Sequence, residues 1–307
     1  SLQQADQKIQ LNGLIGSSLS FVIQSLFKKT EKPFLLILND KEEAAYYLND
    51  LEQMIGEEDV LFYPGSYRRP YQIEDTDNAN VLLRAEVLNR INSLKKPAII
   101  VTYPEALFEK VVTRKELDKN TLKVTVGDQI SIDFINEVLF EYEFKRVDFI
   151  TEPGEFSVRG GIVDVFSFSN DNPYRIEFFG NEVDSIRSFD VETQLSIEKQ
   201  NKITIIPNVE NKFFQENRES FLEYINNQTV LFIQDAEGLL TKLDRLFAKA
   251  TEIFENLNAT VNHVAPNQLF LNQAEFIKAR LEFSVVALNS KAIYKTKKAF
   301  DFYIKPQ

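Results

Sequence analysis

Apolar runs of strand length alternate with helical periodicity in the early part of the chain. Residues 34–38 (FLLIL) are continuously apolar and predict a buried strand. From 41 to 55, Ala44, Tyr47, Leu48 and Leu51 recur at helical spacing, and Asp40 precedes them as an N-cap. Residues 60–63 predict a second strand, closed by Pro64-Gly65. A second helix is predicted over 78–94, with Val81, Leu82, Ala85, Leu88 and Ile91 on one face, and a third strand over 98–102. Strands apolar on both faces, alternating with helices, predict a parallel sheet covered on both sides.

From residue 122 the pattern changes to short alternating strands with Gly turns, interrupted by a helix over 130–142. Residues 146–151, 154–166 and 174–179 read as antiparallel strands, and Gly180-Asn181 fits a two-residue hairpin turn. The last part returns to the first pattern. Residues 229–234 (TVLFIQ) predict a buried strand, 236–255 a helix after Asp235, and 283–288 and 302–304 further strands. The expected organisation is one parallel sheet built from residues 1–121 and 207–307, with residues 122–206 inserted as an α+β domain.

A chain of 307 residues accommodates two or three domains of roughly 100–200 residues each. The absence of Cys excludes disulfides, Cys-ligated zinc and thiol nucleophiles. The longest apolar runs are far too short to span a bilayer, so no membrane contact is expected; the lack of Cys is compatible with a reducing cytoplasm, and a cytoplasmic location is expected. The sequence opens on Ser1, and a segment of a longer protein is expected. Charge is unevenly spread. Residues 122–206 hold 8 Lys and Arg against 16 Asp and Glu, a net −8, whereas the flanking parts are near neutral. DNA affinity comes largely from neutralising phosphates, so the middle segment is a poor general DNA binder.

Five features can carry chemistry. The first is the run Gly13-Leu14-Ile15-Gly16-Ser17-Ser18-Leu19-Ser20, which approaches the phosphate-loop pattern G-x-x-x-x-G-K-[ST] between a strand and a helix. Ser18 replaces the glycine that admits phosphates, and Leu19 replaces the lysine that neutralises them. The run reads either as a degenerate phosphate loop or as a plain turn with Ser17 as helix cap. No bound nucleotide or other cofactor is expected. The second is Asp235 at a strand end, a magnesium-holding carboxylate or a helix N-cap. The third is His263, the sole histidine, for which a structural or solvent role is expected. The fourth is the run from Phe62 to Tyr71, where Tyr67, Arg68, Arg69 and Tyr71 suit either base stacking or packing at a domain edge.

The fifth is the strand at residues 174–179. Alternation puts Tyr174, Ile176 and Phe178 on one face and Arg175, Glu177 and Phe179 on the other. A phenylalanine on a charged face is out of place for a solvated surface, and Arg159 lies on a neighbouring strand beside Gly160-Gly161. Arg with an exposed aromatic is the chemistry of an interface hot spot. The alternative is a surface ion pair of Arg175 with Glu177 or Glu155, with Phe179 packed against another domain.

The run from Glu152 to Phe166 (EPGEFSVRGGIVDVF), followed by Pro173 to Phe179 (PYRIEFF) and Glu182 to Arg187, resembles domain 2 of the bacterial transcription-repair coupling factor family. The excinuclease helicase UvrB carries a similar run. The degenerate loop at Gly13 and the Phe62-Tyr63-Pro64 run also match the family's first domain. The resemblance covers essentially the whole chain in the order 1a (1–121), 2 (122–206), 1b (207–307). It implies an α/β fold with a P-loop-helicase-like parallel sheet and an inserted α+β domain. In the family domain 2 binds the damage-scanning ATPase UvrA, and Arg159, Arg175 and Phe179 match the binding residues. The resemblance implies that the arginines meet carboxylates of UvrA as forks, and that no residue here is catalytic. Leu19, and a stretch between Tyr63 and the next helix too short for the DNA-threading hairpin of UvrB, favour the coupling factor over UvrB. The full-length protein is then expected to be an ATP-driven translocase that meets RNA polymerase and DNA through its other domains. The competing expectation is a nucleotide-dependent DNA helicase fragment related to UvrB. A docking face masked by the rest of the protein is compatible with the first expectation.

Overall fold

The structure, a computed structural model, describes residues 7–66, 78–93, 96–113, 115, 121–168, 170, 172–206, 217–257, 264–289 and 296–303. The chain divides into two compact units, residues 1–113 with 217–307, and residues 114–216.

The first unit is built on a seven-stranded sheet. Its strands, numbered in chain order, are β1 (Lys8–Asn12), β2 (Phe34–Ile37), β3 (Val60–Tyr63), β4 (Ile99–Thr102), β15 (Val230–Ile233), β16 (Ser284–Leu288) and β17 (Lys298–Asp301). They stand in the order β17-β1-β16-β15-β2-β4-β3, and every pairing is parallel. Every residue of β2, β4, β15 and β16 is buried, as expected of strands covered on both faces. Residues from the two ends of the sequence therefore share one core, with the Phe34 and Phe232 rings 4.8 Å apart.

The helices start where the sequence signals them. Asp40 Oδ1 accepts from Glu43 N at 2.8 Å to cap α2 (Lys41–Ile55). Asp235 Oδ1 accepts from Gly238 N at 3.0 Å to cap α7 (Ala236–Glu255). On α3 (Asn78–Ser93) Ala85 and Leu88 are buried, but so is Arg84, fully. Its Nη1 donates to Pro64 O at 2.9 Å and Ala106 O at 3.2 Å, and its guanidinium lies 4.4 Å from the centre of the Tyr63 ring. Glu109, 3.4 Å from Arg84, accepts from Ser66 N and from Ser66 Oγ at 2.6 Å. A buried ion pair thus holds the turn that follows β3. The two ends of the insertion meet at β5 (Val111–Val112) and β14 (Arg218–Glu219), which pair antiparallel.

The second unit holds β7 (Lys145–Arg146), β8 (Glu155–Arg159), β9 (Ile162–Val165), β10 (Tyr174–Phe179), β11 (Glu182–Phe189) and β12 (Ser196–Gln200) in a six-stranded sheet of consecutive order. A further pair, β6 (Leu122–Thr125) with β13 (Lys202–Ile205), brings the ends of the insertion together. Helix α5 (Ile132–Glu141), capped by Ser131, packs one sheet face, with Phe140 edge-on to Phe156 at 5.2 Å.

Four sequence expectations need correction. Residues 146–151 are not a strand: only β7 forms, and it pairs parallel with β8. Residues 154–166 are not one strand but the β8–β9 hairpin, turned at Gly160-Gly161. The last strand lies at β17 rather than at 302–304, because its backbone pairs with β1 only as far as Asp301. Ser17 holds the cap position of α1 (Ser18–Thr30), but its side chain makes no cap bond and meets the Tyr46 hydroxyl at 3.0 Å instead. Gly180 does turn the β10–β11 hairpin, at φ +65, with Phe179 paired to Glu182.

Candidate functional site

Register in the six-stranded sheet decides which side chains meet, because residues directly opposite share a face. Ser157, Asp164, Arg175, Arg187 and Lys199 stand side by side across β8 to β12. The neighbouring row on the same face is Arg159, Ile162, Glu177 and Ser185. This is the face opposite the one that α5 covers through Phe156.

Both arginines named from the sequence converge on one carboxylate. Arg175 donates Nε to Asp164 Oδ1 at 2.7 Å and Nη2 to Oδ2 at 2.9 Å. Arg159 donates Nη2 to the same Oδ2 at 2.6 Å. Asp164 is 2% exposed, whereas the side chains of Arg175 and Arg159 are 18% and 43% exposed. The Asp164 bond raises the Arg175 pKa further above its ordinary value. Each guanidinium also rests on an aromatic ring. Arg175 lies 4.4 Å from the centre of Phe189, and Arg159 5.2 Å from that of the exposed Phe149.

Phe179 ends β10 and is 84% exposed. The alternative ion pair between Arg175 and Glu177 or Glu155 does not form, because register places Asp164, not either glutamate, opposite Arg175. Glu177 pairs with Arg187 and accepts from Ser185 Oγ at 2.7 Å. The Ser185 bond first, then Arg187, holds its carboxyl below the usual range. Burial pushes Glu155 up, but bonds from Thr151 N at 2.8 Å, Thr151 Oγ1 at 2.9 Å and Glu152 N outweigh it, and the Glu155 carboxyl also lies low.

The two rows place Arg159, Arg175, Arg187 and Lys199 against Asp164 and Glu177. The face is locally cationic in a segment whose net charge is −8. Local sign, not net charge, governs what a surface attracts.

The Gly13 loop is placed at the carboxyl end of β1, where ligands bind in parallel sheets. Several of its amides are bonded within the protein. Leu14 N donates to Asn289 Oδ1 at 2.9 Å, Ile15 N to Ser18 Oγ at 2.8 Å, Ser18 N to Ile15 O at 3.2 Å and Leu19 N to Gly16 O at 3.3 Å. Asn289 Nδ2 donates back to Leu14 O. Gly13 has φ +79, and a Cβ there would sit 2.0 Å from the Phe302 carbonyl oxygen. Leu19 is 1% exposed and Ser20 Oγ donates to Asp50 at 3.1 Å.

Tyr67 to Tyr71 and His263 lie outside the described residues. Sequence reasoning missed Asp164 and Phe149. Asp164 had a signal, a lone carboxylate between Val163 and Val165 in a buried strand; Phe149 had none, since residues 146–151 read as a strand.

Residues 122–211 match the family model described as the UvrB interaction domain. The transcription-repair-coupling factor of Bacillus subtilis (strain 168) is 33% identical over 254 residues, 82% of this chain and 20% of that protein. The factor of Rickettsia bellii (strain RML369-C) is 30% identical over 188 residues, 61% of this chain and 17% of that protein. That of Haemophilus influenzae (strain ATCC 51907 / DSM 11121 / KW20 / Rd) is 26% identical over 246 residues, 78% and 21% respectively. The chain spans about a fifth of the length of these relatives. A helicase-like parallel sheet, an inserted UvrB interaction domain and these relatives together make the chain a member of the transcription-repair-coupling factor family.

Proposed function

We propose that this chain is the module through which a coupling factor engages UvrA, and that the docking face is the one carrying Arg159, Arg175 and Phe179. The observation that carries the reading is Phe179. A large ring that is 84% exposed, on the strand that carries Arg175 inside a UvrB interaction domain, is a solvation cost that a partner surface removes. UvrA supplies an apolar seat for Phe179 and carboxylates that meet the cationic rows around it. In the whole protein, which works in the cytoplasm, this contact brings UvrA to lesions that stall RNA polymerase. The ATP-driven translocation on DNA, and the contact with RNA polymerase, belong to parts beyond this chain.

The module itself holds no nucleotide and catalyses nothing. The loop at residues 13–20 has committed four amides to its own partners, and Leu19 puts no charge near a phosphate. These features also disfavour the helicase-fragment reading, which needs that loop open.

Calorimetric titration of the chain with purified UvrA tests the docking face. Phe179→Ala is the clean variant, since Arg175→Ala would also strand the buried Asp164. Loss of a central aromatic anchor costs about 2 kcal/mol or more, roughly thirtyfold in affinity. Wild-type binding with an unweakened Phe179→Ala variant would move the interface elsewhere, and no wild-type binding would sink the docking role.

A further inference from the structure

Asp164 is an oddity if the arginines serve only to contact a partner. It sits in β9 between two buried valines, is 2% exposed, and receives three charge-assisted hydrogen bonds of 2.6, 2.7 and 2.9 Å from two different strands. A carboxylate buried at the centre of an interface needs partners, and breaking such a group strands whatever charge remains. Here one carboxylate serves two guanidinium groups, so the cluster carries surplus positive charge. Arg175 spends its Nε and Nη2 on Asp164, and Nη2 also reaches Gln194 Oε1 at 3.4 Å. The fork expected to grip UvrA is therefore occupied inside the chain. Among the described residues, Nη1 of Arg175, and Nε and Nη1 of Arg159, make no hydrogen bond.

We propose that Asp164 is the positioning residue of the docking face: it clamps the Arg175 fork and one arm of Arg159, so that both present their remaining N–H groups outward in fixed directions. This rests on the docking reading above and specifies how it works. Long cationic side chains lose rotamer freedom when a partner orders them, and a clamp set before binding removes that loss. Arg also keeps its charge while sharing N–H groups between an internal and an external acceptor, because its planar fork has five donors. The Phe189 and Phe149 rings hold the opposite sides of the two guanidinium groups. A partner then meets rigid, outward-directed donors on the face that Arg175 and Arg159 share, and the acceptors it must offer are carboxylates or carbonyls aligned to those N–H groups.

The experiment is UvrA titration of the whole chain with Asp164→Asn, Phe179→Ala, Arg159→Ala/Arg175→Ala, and the last pair combined with Asp164→Asn. Asn keeps the shape but loses the charge and one acceptor. We expect Asp164→Asn alone to weaken binding about tenfold or more, and to add little once both arginines are gone, since it acts through them. Equal weakening in the arginine-free background would make Asp164 a purely structural residue and overturn the proposal. Phe179→Ala weak with Asp164→Asn unchanged would overturn it while keeping the docking face. Absence of wild-type binding would remove both. Independently of folding in the variant, side-chain ¹⁵N relaxation of the free wild type should show Arg175 Nε–H as rigid as the backbone, and fast averaging there would also overturn the clamp.

Discussion

Leu19 stands where a phosphate loop has its lysine, and its side chain is buried at 1% exposure while the amides of Leu14, Ile15 and Ser18 before it donate to Asn289, Ser18 and Ile15. Restoring the motif letter would not restore the site. Leu19→Lys is expected to gain no measurable affinity for Mg-ATP and to lower stability by several kcal/mol, because an ammonium taken from water without a partner is costly. Calorimetry with Mg-ATP and urea unfolding check the two halves, and measurable ATP affinity would reopen the loop as a nucleotide site. At this scale the sequence showed which residue types were displaced. It could not show where the amides pointed, because Asn289 follows β16 and the Phe302 carbonyl follows β17, both remote in sequence from Gly13. The same holds for Arg175. Its type and strand face were legible, but its partner depended on the register between β9 and β10.

At the scale of elements, local chemistry and tertiary demand agree in most places. Asp235 follows buried strand β15 and caps α7 through Gly238 N. A magnesium ligand and an N-cap make opposite forecasts for Asp235→Ala. We expect a loss of about 1 kcal/mol in urea unfolding, typical of a removed cap, and the same loss with or without Mg²⁺; a loss seen only with Mg²⁺ would restore the ligand reading. Helices with apolar periodicity and a cap were legible to within a residue or two. The reading failed where alternation did not decide pairing. Residues 146–151 alternate like a strand, yet after β7 the chain lifts off the sheet so that Ile150 can join Phe166 and Phe189 in a small core. Gly160-Gly161 inside an apolar run was a turn signal that strand periodicity overrode.

At the scale of the whole molecule, two carboxylates of the inserted unit tie its stability to pH. Glu155 and Glu177 both have carboxyls held below their ordinary value of 4.5 in the folded state. A carboxyl depressed on folding stabilises the fold above its unfolded value, and that contribution is lost as pH falls through the lower folded values. Unfolding of residues 114–216 should therefore become easier as pH drops below about 4.5 and the low folded values are crossed. Near-UV circular dichroism with urea at stepped pH reads this, and constant stability between about pH 7 and about pH 3 would contradict it. The sequence by itself determined the fold class, the insertion between two halves of one sheet, and the set of side chains on each face of β10, because each follows from period, burial pattern and local caps. Only the tertiary structure decided that Asp164 gathers two arginines from separate strands and that the Gly13 loop is closed, because both depend on register and on segments far apart in the chain. No local pattern encodes distances of that kind.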